Sequence, residues 1–179
     1  MTLAQLHELY RRTHGQNQKR FLGYTTKLYV EPIKILIEAS GAKTLLDYGC
    51  GKGYQYLGPR RVHEHWGGIL PYCYDPGVMG LDEKPQRSFD GVICCDVMEH
   101  IPEELLAETL SEIFSYARKF VLFGIAPVPS HKLLADGSNS HMTVRPSAWW
   151  MKILTRHAMS VRWEAWFTDE QKIARKGVA

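Results

Sequence analysis

The sequence has few cysteines, no long hydrophobic run and almost no excess of charge of either sign. No window approaches the roughly 20 apolar residues that span a bilayer, so we expect no membrane-spanning helix. The N-terminal segment MTLAQLHELYRRTHGQNQKR is polar and basic and lacks the apolar core of a signal peptide. These absences predict a cytoplasmic protein without a membrane partner.

The four cysteines, Cys50, Cys73, Cys94 and Cys95, show no Cys-x-x-Cys spacing. A chain of 179 residues can bury an adequate core without disulfides. Cys94 and Cys95 are neighbours on an expected strand, so their side chains should point to opposite faces and make poor ligands for one ion. We interpret the cysteines as small buried apolar residues and expect no metal site.

Charge and composition narrow the class of protein further. The chain has 22 Lys and Arg against 19 Asp and Glu, which gives a net charge of +3. This balance does not support nucleic-acid binding, although a local basic patch stays possible. Hydrophobic residues make up 45% of the chain, as in a soluble globular domain. We therefore expect a single domain and not a disordered chain.

Apolar runs alternate with helical patterns along the chain. Strands are expected at 43–49, 69–74, 89–95, 119–126 and 160–167, with a last short one within 171–179. Helices are expected at 3–12, 25–39, 54–66 (interrupted at Gly58-Pro59), from Pro102 and at 146–157. Gly15 is expected to end the first helix and Gly41 to cap the second. Such alternation predicts right-handed βαβ units and a doubly wound, mostly parallel α/β sheet, residues 41–179, preceded by a helical extension, 1–40.

The most informative stretch is LLDYGCGKG, in which Gly49, Gly51 and Gly53 follow a buried strand. Glycines at such a turn let the backbone approach a ligand closely, and ligands bind at the carboxyl ends of parallel strands. The spacing differs from the G-x-G-x-x-G of dinucleotide folds, and the leading Asp47 would repel a phosphate. Gly51-Lys52 is followed by glycine where a phosphate loop has Ser or Thr, so both phosphate interpretations are disfavoured.

With YDPG (74–77) and FDGVICCDVMEHIPEE (89–104), this stretch resembles the class I S-adenosylmethionine-dependent methyltransferases. The resemblance covers about residues 43–126. It implies that the glycine turn meets the methionine part of the cofactor, that Asp47 orders the turn and holds the ammonium group, and that Asp75 accepts hydrogen bonds from the ribose hydroxyls. The cofactor-binding residues that it implies are Asp47, Gly49, Cys50, Gly51, Gly53, Asp75, Pro76, Val78, Asp96, Val97 and Met98.

The chain also departs from the family pattern. Between Asp75 and Phe89 there is room only for a truncated third strand and helix. The residue that would contact the adenine amine is therefore not identified. The C-terminus is also short for the final antiparallel pair of strands.

Methyl transfer from a sulfonium depends mainly on alignment and desolvation, and needs a base only when the acceptor must lose a proton. We take His141 and Asp96 as the candidate catalytic residues, and interpret His100 as part of the structure of its loop. The candidate substrate-binding residues lie in the N-terminal segment and in the loop after the fourth strand: Tyr10, His14, Thr26, His131, Arg145 and Trp149.

The sequence thus predicts a methyltransferase that uses S-adenosylmethionine, releases S-adenosylhomocysteine and acts on a small-molecule or sugar-like acceptor. Two alternatives stay open. One is a methyltransferase-like binding subunit without catalysis. The other is an NAD- or nucleotide-binding oxidoreductase, which the glycine spacing disfavours.

Overall fold

The structure is a computed structural model that describes residues 1–16, 19–168 and 174–177. Its α-helices are α1 (Leu3–Gln16), α2 (Val30–Ser40), α3 (Leu106–Tyr116) and α4 (Ser147–His157). Its strands are β1 (Leu45–Tyr48), β2 (Tyr72–Tyr74), β3 (Phe89–Cys95), β4 (Ala117–Ile125), β5 (Arg162–Thr168) and β6 (Ala174–Lys176). Short 3-10 helices span Thr25–Tyr29, Tyr54–Tyr56, Val62–Trp66, Met98–His100 and Glu103–Leu105.

The strands form one sheet in the order β2-β1-β3-β4-β5-β6. The first five strands run parallel to one another, and β6 pairs antiparallel with β5. The chain leaves β1 to form β2 on one side and returns to form β3 on the other. This is the α/β, Rossmann-like architecture that the alternation of strands and helices predicts.

Helices cover both faces of the sheet. Val92 and Cys94 of β3 belong to the apolar cluster under α1, α3 and α4. Ile93 and Cys95 belong to the cluster under α2 and the short helix Val62–Trp66. The alternation along β3 confirms that the two adjacent cysteines point to opposite faces, and all four cysteines are free thiols.

Several element boundaries differ from the sequence-based predictions. The prediction that Gly15 ends the first helix is wrong, because α1 continues to Gln16. The predicted helix at 54–66 consists of two separate 3-10 turns. The predicted helix at 25–39 is a 3-10 turn followed by α2, which places Pro32 in the first helical turn, where its missing N–H costs nothing. Gly41 caps α2 in the left-handed conformation, φ 60°, as predicted.

The region after Asp75, expected to be short, is short. Residues 75–88 connect β2 to β3 through turns, without a helix or a strand. β6 has three residues, Ala174–Lys176, and lies within the stretch 171–179 predicted to hold a last strand. The remainder of that stretch, apart from Gly177, lies outside the described residues. Within the part of the chain that is described, no helix combines the length and the apolar character needed to cross a membrane.

Replacing Gly91 by alanine is expected to lower the free energy of unfolding by about 1–3 kcal/mol, as overpacking of a core does. A Cβ at Gly91 would lie 2.3 Å from Cζ of Phe120, whose ring is fully buried under α2. Gly15→Ala is the matched control, because no atom lies within 4 Å of its added Cβ, and alanine should slightly stabilise a helical position. Urea unfolding measures the free energy of unfolding of both variants. An equal change in both would contradict the packing of β3 on β4.

Candidate functional site

The candidate site lies at the carboxyl edge of the sheet, between β1 and β3. The strand order reverses there, and such switch points are where open α/β sheets bind ligands. The glycine turn 49–53 follows β1, Asp75 follows β2, and Asp96 and Val97 follow β3. Three segments singled out in the sequence therefore leave the sheet at the same edge.

The glycine turn requires glycine for its backbone and for its neighbours. Gly49, Gly51 and Gly53 have φ values of 77°, 59° and 66°, in the left-handed region. A Cβ at Gly49 would lie 2.4 Å from Cγ2 of Val97. The turn is therefore packed against the end of β3, without space for a side chain between them.

Asp75 ties the end of β2 to the glycine turn. Its Oδ2 accepts a hydrogen bond from the N–H of Gly51 at 2.8 Å, and its Oδ1 accepts one from the N–H of Gly77 at 2.9 Å. Burial raises the pKa of this carboxyl to about 6, and the two backbone hydrogen bonds act in the opposite direction. The two carboxylate oxygens thus hold two backbone segments together at the end of β2.

Asp47 lies within β1 and is buried, with 1% of its surface exposed. It accepts hydrogen bonds from Nε2 of Gln55 at 2.9 Å and from the hydroxyl of Tyr56 at 2.7 Å. Both donors belong to the 3-10 turn that follows the glycines. Asp47 therefore fixes the segment that follows the glycine turn.

Burial raises the pKa of Asp47 to about 7, so folding favours its protonated form. The folded chain then binds a proton between about pH 4 and pH 7 that the unfolded chain releases, and stability falls as the pH rises through this range. Asp47→Asn keeps one acceptor oxygen but cannot ionise. We expect the variant to gain stability relative to the wild type over this interval, at about 1.4 kcal/mol for each unit of pKa shift. Urea unfolding between pH 4.5 and 7.5 measures the difference, and parallel curves would contradict the raised pKa of Asp47.

Asp96 occupies a strained position at the end of β3. Its φ is 55°, which is uncommon for a residue with a side chain. Its N–H donates to the carbonyl of Gly124 at 2.8 Å, and its Oδ1 accepts a hydrogen bond from the Tyr29 hydroxyl at 3.0 Å. Asp96 is followed by Val97, whose side chain contacts the glycine turn. The next residue, Met98, is fully buried in the core.

The segment Phe21–Gly23, here called the covering segment, lies directly on the glycine turn. Lys52 and Tyr54 donate their N–H groups to the carbonyls of Phe21 and Leu22, each at 3.1 Å. The N–H of Gln55 donates to the carbonyl of Gly23 at 3.0 Å. A Cβ at Gly51 would lie 2.5 Å from the carbonyl oxygen of Phe21. The chain thus closes its own N-terminal region over the turn.

The Phe21 ring anchors the covering segment. It packs against Tyr10, His14 and His100 with ring centroids 5.7, 5.4 and 5.6 Å apart. The ammonium of Lys132 lies 4.8 Å from the centre of the same ring. Phe21 also has a φ of 49°, so these contacts hold it in an unfavourable backbone conformation.

Helix α1 covers the loop that carries Asp75. A Cβ at Gly77 would lie 2.9 Å from Cβ of Tyr10 and 3.2 Å from Cδ2 of His14. The Tyr10 hydroxyl donates to the carbonyl of Ser140 at 3.0 Å. Burial lowers the pKa of His14 to about 4, so its ring is neutral at physiological pH. Tyr10 and His14, predicted to bind substrate, therefore lie at the edge of the predicted cofactor site.

Other predicted residues hold the backbone around the site. Thr26 is buried, and its N–H donates to Oε1 of Gln55 at 3.3 Å. The N–H of Cys50 donates to the carbonyl of Tyr74 at 3.2 Å, and the N–H of Val78 donates to that of Asp75 at 3.1 Å. The carbonyl of Pro76 accepts a hydrogen bond from the Arg11 guanidinium at 3.3 Å.

The remaining candidate site residues follow β4, and they do not all lie together. His141 is partly buried, and its Nδ1 lies 2.5 Å from the carbonyl oxygen of Val128. Its ring stands edge-on to that of His100, with centroids 4.8 Å apart. His131 is exposed. Arg145 is also exposed, forms an ion pair with Glu103 at 2.8 Å and lies over the ring of Trp149 at 5.8 Å. The structure thus brings His141 together with His100, whereas Arg145 pairs with Glu103.

Glu99 was not among the residues predicted from the sequence, although it lies in the DVMEHIP stretch. Glu99 is completely buried, and its Oε1 accepts a hydrogen bond from the N–H of Ala126 at 2.9 Å. The covering segment was not predicted either. For Glu99 the available signal was an acid beside a histidine just after a buried strand. For the covering segment it was only the glycine at position 23, where an added Cβ would lie 2.2 Å from the carbonyl oxygen of Cys50.

A cavity of about 530 Å³ is lined in part by Gln55, the residue whose amide donates to Asp47. The side chains of Lys27, Arg60 and His65 contribute basic groups to its wall. The Arg60 guanidinium lies 4.2 Å from the centre of the Tyr24 ring. The remaining lining residues are Val30, Gln55 and Val62. This wall favours an anionic group over a cationic one.

No protein-family model, curated protein or solved structure matches the chain in comparisons with known proteins. The parallel sheet and its helices are compatible with a Rossmann-like fold. A functional assignment must therefore come from the geometry at the carboxyl edge of the sheet.

Proposed function

We propose that this protein is an S-adenosylmethionine-dependent methyltransferase that acts on a small-molecule or sugar-like acceptor. One observation carries the proposal: the three segments that resemble the family's cofactor-binding motifs touch one another at the switch point of the sheet. The glycine turn packs on Val97, and Asp75 bonds to Gly51. Residues far apart in the chain thus converge where an α/β sheet takes its ligand.

The residues at this edge fit the cofactor's chemistry. Gly49 and Gly51 expose backbone with no side chain, and a Cβ at either would overlap Val97 or Phe21. Asp75 offers two carboxylate oxygens, which suit the adjacent hydroxyls of a ribose. Asp47 holds the segment after the turn through Gln55 and Tyr56, and so fixes the shape of the turn. S-adenosylmethionine supplies an activated methyl group on a sulfonium, and the protein's part is to orient the acceptor and exclude water.

Binding of the cofactor requires the covering segment to move. The carbonyl of Phe21 lies against Gly51, and α1 lies against the loop of Asp75. We infer that these N-terminal elements act as a lid that opens to admit the cofactor and closes to exclude water. The specificity for the acceptor then comes from the short flanks of the sheet, since Tyr10 and His14 border the site.

Asp96 and His141 are the candidates for a base. Asp96 directly follows β3 and neighbours Val97, which contacts the glycine turn. The hydrogen bond from Tyr29 orients the Asp96 carboxylate. His141 lies further along the same edge, beside His100. A base is required only when the acceptor is protonated at the reacting atom.

A methyltransferase-like binding subunit without catalysis is the second candidate. The observation that favours it is the covering segment, because the chain's own backbone already satisfies N–H groups of the glycine turn. An oxidoreductase that uses NAD is disfavoured by the turn, whose glycines alternate over residues 49–53.

Incubation with methyl-labelled S-adenosylmethionine and a panel of hydroxyl, amine and carboxylate acceptors tests the proposal. We expect label in at least one acceptor, together with formation of S-adenosylhomocysteine. Asp96→Asn should lower the rate, and Glu108→Gln, on the exposed surface of α3, is the matched control. Binding of the cofactor without transfer to any acceptor would support the binding subunit instead. Binding of NAD in its place would support the oxidoreductase.

A further inference from the structure

We propose that Glu99, His100 and His141 form a binding site for a divalent transition-metal ion. The cysteine pattern predicted no metal site, but His141 joins the neighbouring pair Glu99 and His100 only in the fold. One potential ligand atom from each residue lies within 4.8 Å of the others. Two imidazoles and one carboxylate are a ligand set that holds catalytic zinc and non-haem iron in proteins.

Backbone carbonyls orient both imidazoles. Nδ1 of His100 lies 2.7 Å from the carbonyl oxygen of Ser140, and Nδ1 of His141 lies 2.5 Å from that of Val128. Because a carbonyl only accepts hydrogen bonds, each Nδ1 carries the hydrogen. In a neutral ring the lone pair is then on Nε2. Metal-binding histidines in proteins are held in this way, with one ring nitrogen donating to a carbonyl and the other facing the ion.

The carboxylate is held in a similar way. Glu99 is completely buried, and the N–H of Ala126 donates to its Oε1 at 2.9 Å. Ala126 directly follows β4, so the end of this strand fixes the acid beside the two histidines. A carboxylate held at a fixed position is a ligand for a divalent cation.

The distances require only a small adjustment. The three atoms lie no more than 4.8 Å apart, so a cation at their centre would be at most about 2.8 Å from each. An inward shift of at most about 0.7 Å would bring them to the distances at which zinc binds nitrogen and oxygen. Imidazole nitrogens favour ions such as zinc, iron or nickel over magnesium or calcium, which prefer oxygen. Three protein ligands also leave positions for water or a substrate oxygen.

The three residues adjoin the covering segment. His100 and His141 are both partly exposed. The Phe21 ring lies 5.6 Å from that of His100, and the Tyr10 hydroxyl lies 2.9 Å from its Nδ1. A bound ion would thus lie at the edge of the site that we propose for methyl transfer. The metal proposal does not depend on that function, because binding of the ion is measured directly.

Isothermal titration of the chelator-treated protein with ZnCl₂ tests the proposal, with MgCl₂ as the comparison. We expect one zinc ion per chain and far weaker binding of magnesium. CoCl₂ should give a visible absorption band that zinc displaces. Absence of saturable zinc binding, or binding of magnesium as tight as that of zinc, would overturn the proposal.

Two ligand variants and one control test whether the ion binds at these residues. Glu99→Gln, which keeps an oxygen acceptor for Ala126, and His141→Gln should each weaken zinc binding at least about 100-fold, since each removes a direct ligand and loss of a mere orienting partner already costs 10–100-fold. His157→Gln, at the end of α4, is the matched control and should bind as the wild type does. Circular dichroism of the metal-free variants verifies that each is folded. Wild-type zinc affinity in folded Glu99→Gln and His141→Gln would place the ion elsewhere and contradict the proposal.

Discussion

Asp75→Asn is expected to weaken binding of S-adenosylmethionine at least about tenfold, because it removes a charge and one of two acceptor oxygens at the proposed ribose site. A tenfold loss corresponds to about 1.4 kcal/mol, more than a typical neutral hydrogen bond contributes. The carboxylate also accepts the N–H groups of Gly51 and Gly77, so the variant loosens the turn as well. Isothermal titration of wild type and variant measures the change.

Two further measurements make the Asp75 result specific. Glu108→Gln, the same change of acid to amide on the exposed face of α3, should leave the affinity unchanged. Thermal unfolding without ligand shows whether Asp75→Asn is folded. A folded variant with wild-type affinity would mean that Asp75 does not contact the cofactor.

Phe21→Ala is expected to have the opposite effect and to raise the affinity for S-adenosylmethionine. The ring holds the covering segment through three aromatic neighbours and Lys132. An aromatic pair contributes about 0.5–1.5 kcal/mol, so loss of the ring should favour the open form by more than 1 kcal/mol. If the closed form excludes the cofactor, its apparent affinity rises in proportion to the open fraction, by about tenfold for 1.4 kcal/mol.

Tyr116→Ala, which removes a partly buried ring at the end of α3, is the control for Phe21→Ala. It should change stability without changing affinity for the cofactor. Weaker binding by a folded Phe21→Ala variant would show that Phe21 is part of the cofactor site. The covering segment would then not be a lid that must open.

The local pattern of the sequence predicted the sheet well. The apolar run at 89–95 forms β3 with the predicted bounds, because a short run rich in β-branched residues can be buried on both faces. Gly41 caps α2 because only glycine adopts the left-handed conformation without cost. Such features depend on a few neighbouring residues and are therefore visible in the sequence.

The contents of the site were less predictable because they depend on contacts between distant residues. Phe21 lies 30 residues before Gly51, and its φ of 49° has no signal in a phenylalanine. Glu99 and His141 are 42 residues apart in the sequence. They come together because β4, which precedes the loop of His141, pairs with β3. Gly15 was expected to end α1, but tertiary contacts of Thr13 and His14 carry the helix past it.

Isothermal titration of the wild-type protein with S-adenosylhomocysteine is the most direct test of the proposed cofactor site. The product binds the same site and cannot react, so the measurement does not depend on the unknown acceptor. We predict saturable binding of one molecule per chain, with a rise in the unfolding temperature that grows with ligand concentration. Absence of both heat and thermal stabilisation, with S-adenosylmethionine as well as with S-adenosylhomocysteine, would contradict the proposed function.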